Sequence, residues 1–434
     1  MAEEKKGLTS LEKKWVLYDV ANSAFTLMVS TLIQIYFKDL VTNDASLIAK
    51  FGDDVSAQSV AYWNYAGTIC TIAVVFLAPI FGTIADRYRK KKELFIATIA
   101  IGAGCTLLLG TATAWLYYII LFVVAKIWYQ VSLVIYDSMI SDVTTDERSD
   151  TVSSFGFAFG YIGSVVPFII CLVLYVLAHL GKLPIGESTA MRIAFVITAV
   201  WWFCWSLPLI RSYKQLNFET KEEKKSNGFK EFFSSLKDLA TTNKKALFFI
   251  LGFFFYIDGV YTIIDNASIY GASLGLATVG LLVALLVTQF VAFPCAIITG
   301  KMAKKWGTDV VVTICILGYT AIAILAAFMT SLVHFWILCV MVGLFQGGIQ
   351  ALSRSYFSKI IPKEKSGQYF SIYDIFGKGA SALGGMIFAV VTDVTKDQHI
   401  GIAPIVCFFI VGLILFRISC KTPLAEGVGE GAEE

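Results

Sequence analysis

The sequence predicts an all-α membrane protein whose twelve transmembrane helices form two pseudo-symmetric six-helix bundles. Three observations lead to this prediction. The 434 residues are 57% apolar and only 15% charged, whereas soluble proteins average about 45–50% apolar and about 25% charged. Twelve stretches offer the ~20 mostly apolar residues that a helix needs to cross the hydrocarbon core. The second six stretches repeat features of the first six.

The same composition excludes several other classes of protein. A water-soluble enzyme could not bury 34 Phe, 19 Tyr and 9 Trp, and a net charge of +3 provides no basic footprint for nucleic acid. The nine cysteines lie inside apolar runs or at their ends, and none pairs with a His at metal-ligand spacing. We therefore expect no disulfide framework, no metal site and no cofactor. The charged N-terminal segment lacks the features of a cleavable leader.

The predicted spans in chain order are 15–37, 57–85, 93–112, 115–137, 153–180, 190–210, 246–270, 276–300, 308–329, 332–357, 366–392 and 400–420. Strands are excluded because these runs are too long and too continuous for the alternating pattern of a barrel. With the N-terminus placed inside, the inner segments carry 28 Lys and Arg and the outer segments carry five. The positive-inside rule therefore places both termini in the cytoplasm.

The longest inner loop divides the chain into six spans and six spans. We predict an N-terminal bundle over residues 1–210, a cytoplasmic linker over 211–245, and a C-terminal bundle with a short cytoplasmic tail over 246–434. Within the linker, apolar residues recur at helical spacing: Phe229, Phe232, Phe233, Leu236 and Ala240. Lys230, Glu231, Lys237 and Asp238 lie on the other side, which predicts an amphipathic helix on the inner leaflet. The alternative is a solvated linker.

An internal repeat relates the two halves. Ser138-Met-Ile-Ser141, Glu147-Arg148-Ser149, Phe159-Gly160 and Ser164 recur in the second half, at one constant separation, as Ser355-Tyr-Phe-Ser358, Glu364-Lys365-Ser366, Phe376-Gly377 and Ser381. Gly82-Thr-Ile-Ala85-Asp86-Arg87-Tyr88 is echoed at nearly the same separation by Gly300-Lys-Met-Ala303-Lys304-Lys305-Trp306. Parallel repeats of six spans are typical of transporters that bind their solute near the bilayer midplane, between two bundles.

The segment after span two reads Gly82-Thr-Ile-Ala-Asp86-Arg87-Tyr88-Arg89-Lys90-Lys91. It resembles the signature that the major facilitator superfamily carries between spans two and three, and Arg89 stands where that signature has its second glycine. A carboxylate at this place can meet the positive N-terminus of a neighbouring helix or an arginine. The resemblance implies the major facilitator fold. It also implies that Asp86, Arg87 and Lys90 gate the protein by latching its outward-open arrangement.

Two further strings resemble one branch of that superfamily. Span one opens with Trp15-Val-Leu-Tyr18-Asp19-Val-Ala21-Asn22-Ser23-Ala24-Phe25, and span seven contains Tyr256-Ile-Asp258-Gly259-Val260-Tyr-Thr262-Ile263. Both are similar to the "unknown major facilitator" branch, which is related to the fungal autophagy-related vacuolar amino-acid effluxer. The resemblance implies amino-acid efflux.

Three ionisable residues lie near the middle of their spans: Lys126 in span four, Asp258 in span seven and Lys378 in span eleven, each about 16–18 Å deep. Such residues are expensive in a bilayer and by default mark a solute pathway or a buried partner. Polar stripes accompany them, and polar stripes face a cavity or another helix rather than lipid. Members of these stripes include Gln130, Thr262, Gln346, Gln350, Arg354 and Asp374.

These residues receive different predicted roles. We assign solute binding to Lys126, Gln130, Asp258, Thr262, Gln346 and Lys378, ion coupling to Asp258 and Asp374, and gating to Asp19 and Asp137 as well as the signature residues. Asp19 and Asp137 lie near inner span ends, where gating is the better interpretation. The alternative for Asp374 and Lys378, four residues apart, is mutual neutralisation within one helix.

The sequence therefore predicts a secondary active transporter, and not an enzyme, that moves a small polar solute by alternating access. Lysines and aspartates at the midplane suit a carboxylate-bearing solute such as an amino acid. No phosphate-binding loop is found in the sequence, so we expect the energy to come from the solute's own gradient or from a coupled ion, a proton or sodium. The alternatives are an exporter of amphipathic drugs or lipids and a non-transporting membrane receptor. We expect a monomer in the lipid bilayer of the cell (inner) membrane.

Overall fold

The computed structural model describes residues 7–219, 228–273, 278–329, 331–395, 398–425 and 428. Over these ranges the chain is almost entirely helical. The helices of the first half are α1 (Ser10–Val29), α2 (Leu32–Thr42), α3 (Ala45–Phe51), α4 (Val55–Arg87), α5 (Lys91–Leu109), α6 (Trp115–Ser138), α7 (Ile140–Val143), α8 (Asp146–His179) and α9 (Glu187–Ser212). Those that follow are α10 (Gly228–Thr241), α11 (Lys244–Ser273), α12 (Thr278–Trp306), α13 (Thr308–Ala327), α14 (Leu332–Lys359), α15 (Ser366–Thr395) and α16 (Gln398–Lys421).

The predicted all-α membrane fold is confirmed. In the described part of the chain, 11 helical segments are long and apolar enough to cross a membrane, with α1 and α2 counted together as Ser10–Thr42. The remaining predicted span is α15, whose apolar stretch is the shorter Leu383–Thr392.

The first span is broken, although its sequence predicts one continuous helix over 15–37. Helix α1 ends at Val29 and α2 begins at Leu32, with Thr31 in a non-helical conformation. The Thr31 hydroxyl donates to Leu27 O at 2.7 Å, and the Ser30 hydroxyl donates to Thr26 O at 3.2 Å. Hydroxyls that hydrogen-bond backbone carbonyls compete with the helix ladder and bend transmembrane helices. These two side chains therefore account for the break.

The chain divides into two compact units, and they do not coincide with the two sequence halves. One unit consists of Met1–Phe81, Lys90–Tyr136 and Phe159–Lys214. The other consists of Gly82–Arg89, Asp137–Ala158 and Gln215–Glu434. The ends of α4 and α6 and the start of α8 thus pack with the second half of the chain. The predicted division into a bundle over residues 1–210, a linker over 211–245 and a bundle over 246–434 describes the sequence repeats and stays a prediction.

Each unit is held by close helix contacts of its own. In the first unit, Trp15 stacks on Tyr136 with ring centroids 4.5 Å apart. In the second unit, α11 crosses α16 at two glycines, where a Cβ on Gly252 would lie 2.9 Å from Phe416 N and 3.0 Å from Gly412 O. Small residues allow this backbone approach, which is the usual way that transmembrane helices gain contact area.

The predicted amphipathic helix of the linker is present as α10, in the second unit. Ser235 and Leu239 are buried, whereas Phe233 is 62% exposed. The Ser235 hydroxyl donates to Gln368 Oε1 at 2.6 Å, and the Tyr369 hydroxyl donates to Asp238 Oδ2 at 2.9 Å. Asp238 therefore contacts the start of α15, although the sequence pattern placed it on the solvated side. Phe233 and Ala240, predicted on the apolar side, are instead exposed and lie on the same side as Lys237.

Candidate functional site

The carboxylate of Asp86, at the end of α4, lies on the first turn of α15. Asp86 is fully buried, and its two oxygens accept hydrogen bonds from Gly367 N at 3.0 Å and Gln368 N at 2.9 Å. The first amides of a helix have no partner within the helix and carry its positive dipole end, so a carboxylate binds there favourably. Asp86 thus meets a helix N-terminus, which is one of the two partners that its position predicted.

Two glycines allow this contact, which we call the Asp86 contact. A Cβ on Gly367 would lie 2.8 Å from Gly82 O and 2.9 Å from Asp86 Oδ1. A Cβ on Gly82 would meet Gly367 and Ser371 even more closely. Because real Cβ atoms do not approach this closely, a side chain at either position would force α4 and α15 apart. The glycine that opens the signature is therefore explained by the contact.

The turn after α4 forms although Arg89 replaces the second glycine of the signature. Arg89 takes a positive φ of 53°, a conformation that costs a non-glycine residue roughly 1–2 kcal/mol. Its guanidinium lies 4.6 Å from the ring centre of Phe218 and donates to Gln215 O at 3.3 Å. Arg87 is half-buried in the last turn of α4, and Lys90 is exposed.

A buried ion pair lies in the same unit, at the end of α6. Arg354 of α14, only 3% exposed, places Nη1 2.9 Å from Asp137 Oδ1. The guanidinium also donates to Ser153 Oγ at 2.9 Å and lies over the ring of Phe157. Sequence reasoning placed Arg354 on a polar stripe but did not pair it with Asp137. The signal was available, since the two residues are separated by the repeat distance of 217.

A second buried carboxylate, Asp150 near the start of α8, was missed by sequence reasoning. Its Oδ2 lies 2.6 Å from Lys359 Nζ and accepts from the Thr308 hydroxyl at 2.7 Å. Its Oδ1 accepts from the Ser355 hydroxyl at 2.6 Å. The same repeat distance separates Asp150 from Gly367. The repeat therefore indicated that this position would lie at a helix contact equivalent to that of Asp86. We call this set of residues the Asp150 cluster.

The first residues after α9 run across the end of α4. Gln215 Nε2 donates to Ala85 O at 3.0 Å, and Glu219 N donates to Asp86 O at 3.3 Å. Asp142 Oδ1 accepts from Leu216 N at 3.1 Å and from Asn217 N at 2.7 Å. This linker start, Gln215–Glu219, therefore contacts the backbone of Asp86 itself, which no sequence motif indicated.

In the middle of α11, Asp258 is fully buried. Its Oδ1 accepts from Gly384 N at 3.0 Å and from the Thr262 hydroxyl at 3.3 Å. Its Oδ2 is buried and has no hydrogen-bond partner among the residues that the structure describes. The structure thus brings the predicted site residues Asp258 and Thr262 together. Asp374 is half-buried on α15, and the side chain of Lys378 lies outside the described residues.

Four predicted site residues lie in the other unit: Asp19, Lys90, Lys126 and Gln130. Lys126 is half-buried in α6, with Nζ 5.6 Å from the ring centre of Phe122. One turn further along, Gln130 has a buried Oε1 for which the described residues provide no partner. Asp19 accepts from the Tyr136 hydroxyl at 2.7 Å and from Asn22 Nδ2 at 3.3 Å, so it fixes α6 against α1.

Gln346 lines a cavity of about 120 Å³ inside the second unit. Helices α11, α12, α13, α14 and α16 form its wall, which is mainly aliphatic and aromatic. The polar lining residues are Thr288, Gln289 and Gln346. Gln289 Oε1 is buried and lacks a hydrogen-bond partner within the described ranges. This cavity can accept an apolar group that carries a single donor.

The fold is that of the major facilitator superfamily. The chain superimposes on the E. coli fucose:proton symporter FucP with a TM-score of 0.70 at 13% identity, covering 95% of this chain and 98% of that one. The proton:xylose symporter XylE gives a TM-score of 0.69 at 12% identity, over 93% and 94% of the two chains. The protein is thus a multi-pass membrane protein with the predicted twelve-helix architecture.

Within this superfamily, the chain belongs to the family described as "Vacuole effluxer Atg22 like", whose sequence model matches residues 10–144 and 141–421. The MFS-type transporter YxiO of Bacillus subtilis (strain 168) is 37% identical over 414 residues, 94% of this chain and 95% of YxiO. Autophagy-related protein 22 of Kluyveromyces lactis is 22% identical over 465 residues, 93% of this chain and 92% of that protein. These relatives confirm the predicted superfamily, branch and transporter class. They are transporters and not enzymes, as the sequence predicted.

Proposed function

We propose that this transporter moves a small polar solute with a carboxylate group, such as an amino acid, by alternating access driven by a proton gradient. The observation that carries this proposal is Asp258, a fully buried carboxylate in the middle of a helix with one oxygen left without a partner in the described part of the chain. An intramembrane carboxylate of this kind is costly for stability and is kept for ion or solute contact.

The gate of this transporter is the set of contacts around Asp86 and Arg354. These contacts join segments of the first sequence repeat, Gly82–Arg89 and Asp137–Ala158, to helices of the second repeat. Alternating access requires the two repeats to rock against each other, which would separate α4 from α15 and Asp137 from Arg354. The contacts exist only while the predicted cytoplasmic end is closed.

Lys126 and Lys378 hold the carboxylate of the solute, and Gln130 supplies a further hydrogen bond. Support for this role comes from the half-buried position of Lys126 in α6. The buried Oε1 of Gln130, one turn away, has no partner among the described residues and can accept a hydrogen bond from the ammonium group of an amino acid. Asp258, together with Thr262, carries the coupling proton, and Asp374 is the second candidate for that role. The protein acts as a monomer in the cell membrane, with both termini cytoplasmic.

The experiment is transport of labelled amino acids into liposomes that contain the purified protein, with and without an imposed pH gradient. Asp258→Asn should abolish gradient-driven accumulation but retain exchange, because the variant cannot release a proton. Asp265→Asn, an exposed carboxylate on the same helix, is the matched control. Undiminished pH-driven uptake by Asp258→Asn removes this residue from coupling, and uptake that follows a sodium gradient instead identifies the other ion.

Recognition of the solute's carboxylate group by Lys126 is tested by comparing the binding of one amino acid with that of its methyl ester. Lys126→Ala should weaken binding of the acid by roughly 1.5–3 kcal/mol, the value of a charge-assisted hydrogen bond, and leave the ester unaffected. Lys126→Arg should be only partly tolerated, since its planar fork needs a different pocket. Lys38→Ala, an exposed lysine, is the control. If the variant binds both compounds as tightly as the wild type, Lys126 is structural.

A second candidate function is the export of amphipathic compounds, and the cavity in the second unit favours it. Its wall is mainly apolar, with Gln289 and Gln346 as hydrogen-bonding groups. A cavity of about 120 Å³ can hold a group of the size of a benzene ring. Stimulation of transport by such compounds, lost in Gln289→Leu, would favour this function over amino-acid transport.

A further inference from the structure

The linker between the two sequence repeats contacts the gate at both of its ends. At its start, Glu219 N donates to Asp86 O, and Arg89 lies against Phe218. At its other end, α10 bonds to Gln368 and Tyr369 through Ser235 and Asp238. Gln368 N is itself a donor to the Asp86 carboxylate. A force on α10 therefore reaches the residues that form the Asp86 contact.

The face of α10 opposite these contacts is exposed and amphipathic. Phe233, Lys237 and Ala240 are exposed and lie on one side of the helix, which is separated from the side of Ser235 and Leu239. Lys244, at the start of α11, is also exposed. Helices that lie in a lipid interface typically expose apolar side chains beside lysines. The aliphatic part of each lysine side chain packs along the apolar surface while its ammonium group stays in water.

The net positive charge of the linker complements an anionic lipid surface. Between Arg211 and Lys245 the sequence has nine Lys or Arg against five Asp or Glu. Basic segments close to a membrane are attracted to anionic lipid headgroups, and each lysine near the surface adds to the binding. The occupant that fits this face is therefore an anionic lipid surface rather than a neutral one.

We propose that the exposed face of α10 binds anionic lipid and thereby stabilises the Asp86 contact, so that lipid charge regulates the gate. This inference rests on the proposed gating role of Asp86. Lipid binding orders α10, α10 positions Gln368 and Tyr369, and these residues keep the first turn of α15 on the carboxylate of Asp86. Ser235 and Tyr369 act as positioning residues in this sequence of contacts.

The test is hydrogen–deuterium exchange of the full chain in nanodiscs made of phosphatidylcholine alone or with phosphatidylglycerol. The amides of Gly367 and Gln368 report the contact directly, since Asp86 is their acceptor. Phosphatidylglycerol should slow exchange in peptides that cover α10 and residues 366–371 by up to about thirtyfold, the effect of two lysines at the surface. Equal exchange in the two kinds of nanodisc overturns the proposal and leaves this face to another occupant, such as a soluble protein.

Variants distinguish the binding of lipid to α10 from the effect of that binding on the first turn of α15. Lys237→Gln with Lys244→Gln should abolish the effect of phosphatidylglycerol, whereas the charge-matched control, Lys301→Gln with Lys305→Gln on α12, should keep it. Ser235→Ala with Tyr369→Phe should keep the slowing in α10 and lose it at residues 366–371. Slowing at both sites in this variant, or loss of the effect in the control, contradicts the proposal. Asp86→Asn tests the gate separately, because unchanged exchange at Gly367 and Gln368 in that variant contradicts the proposed gating role itself.

Discussion

The Asp86 contact and the Asp150 cluster occupy equivalent places in the two repeats but are built with opposite chemistry. Asp86 ends a helix and binds the backbone amides of the helix start at Gly367. In the equivalent place, the repeat aligns Lys304 with Asp86 and Asp150 with Gly367. The carboxylate has thus moved from the helix end to the helix start. There it binds side chains, those of Lys359, Thr308 and Ser355.

Because its donors are backbone amides, the Asp86 contact depends on backbone geometry, whereas the Asp150 cluster does not. Backbone amides cannot turn away or rotate toward water when their acceptor is lost, and Asp86 is completely buried. Lys359 is 23% exposed and flexible, so it can recover part of its hydration when Asp150 is lost. We therefore expect the Asp86 contact to determine the closed state and the Asp150 cluster to adjust it.

The largest effect is expected for Asp86→Ala. It removes two hydrogen bonds to a charged acceptor and leaves two amides without a partner, so the closed state should lose roughly 3–6 kcal/mol. The labelling rate of cysteines introduced at the predicted cytoplasmic end should rise by at least about a hundredfold. Glu93→Ala, an exposed carboxylate, is the control. Unchanged labelling would show that Asp86 does not hold the gate.

A smaller effect is expected for Gly367→Ala, which keeps the carboxylate and changes only the space around it. The new Cβ would lie 2.8 Å from Gly82 O, so the closed state should lose about 1–3 kcal/mol, a usual cost of overpacking. Double electron–electron resonance between labels on α4 and α15 would detect the separation. Gly385→Ala on the same helix meets no atom within 4 Å and should leave the distance unchanged.

Asp150→Asn should have a still smaller effect, about 1–2 kcal/mol, because Lys359 can turn to water. A moderate rise in transport rate is expected where opening of this end limits turnover, because a less stable closed state opens faster. The exchanged pair Asp150→Lys with Lys359→Asp should recover part of the loss, which a merely steric role would not allow. An effect of Asp150→Asn as large as that of Asp86→Ala would show that the Asp150 cluster holds the closed state as firmly as the Asp86 contact does.

The smallest effect concerns the turn beside Asp86. Arg89→Gly removes a positive-φ cost of about 1 kcal/mol, whereas Arg89→Ala keeps it, and both lose the contacts with Phe218 and Gln215. In thermal unfolding, the glycine variant should therefore be more stable than the alanine variant by about that amount. Equal stabilities would mean that the turn relaxes when the arginine is removed.

The architecture of this protein follows from its residue order alone. Apolar runs of about 20 residues predict helices wherever a chain crosses a bilayer, because the bilayer core leaves the backbone no other partner than itself. The internal repeat and the signature around Asp86 also follow from local residue order. For the same reason the linker helix could be predicted, since its apolar residues recur at a helical period.

Which distant residues contact each other could be read only from the tertiary structure. Asp86 binds an amide 281 residues away, and Arg354 binds a carboxylate 217 residues away. Composition and periodicity describe the faces of single helices, and they carry no information about which faces meet. The positive φ of Arg89 and the contacts of Gln215 arise from competition between local propensity and packing. That competition is resolved only when distant segments are brought together.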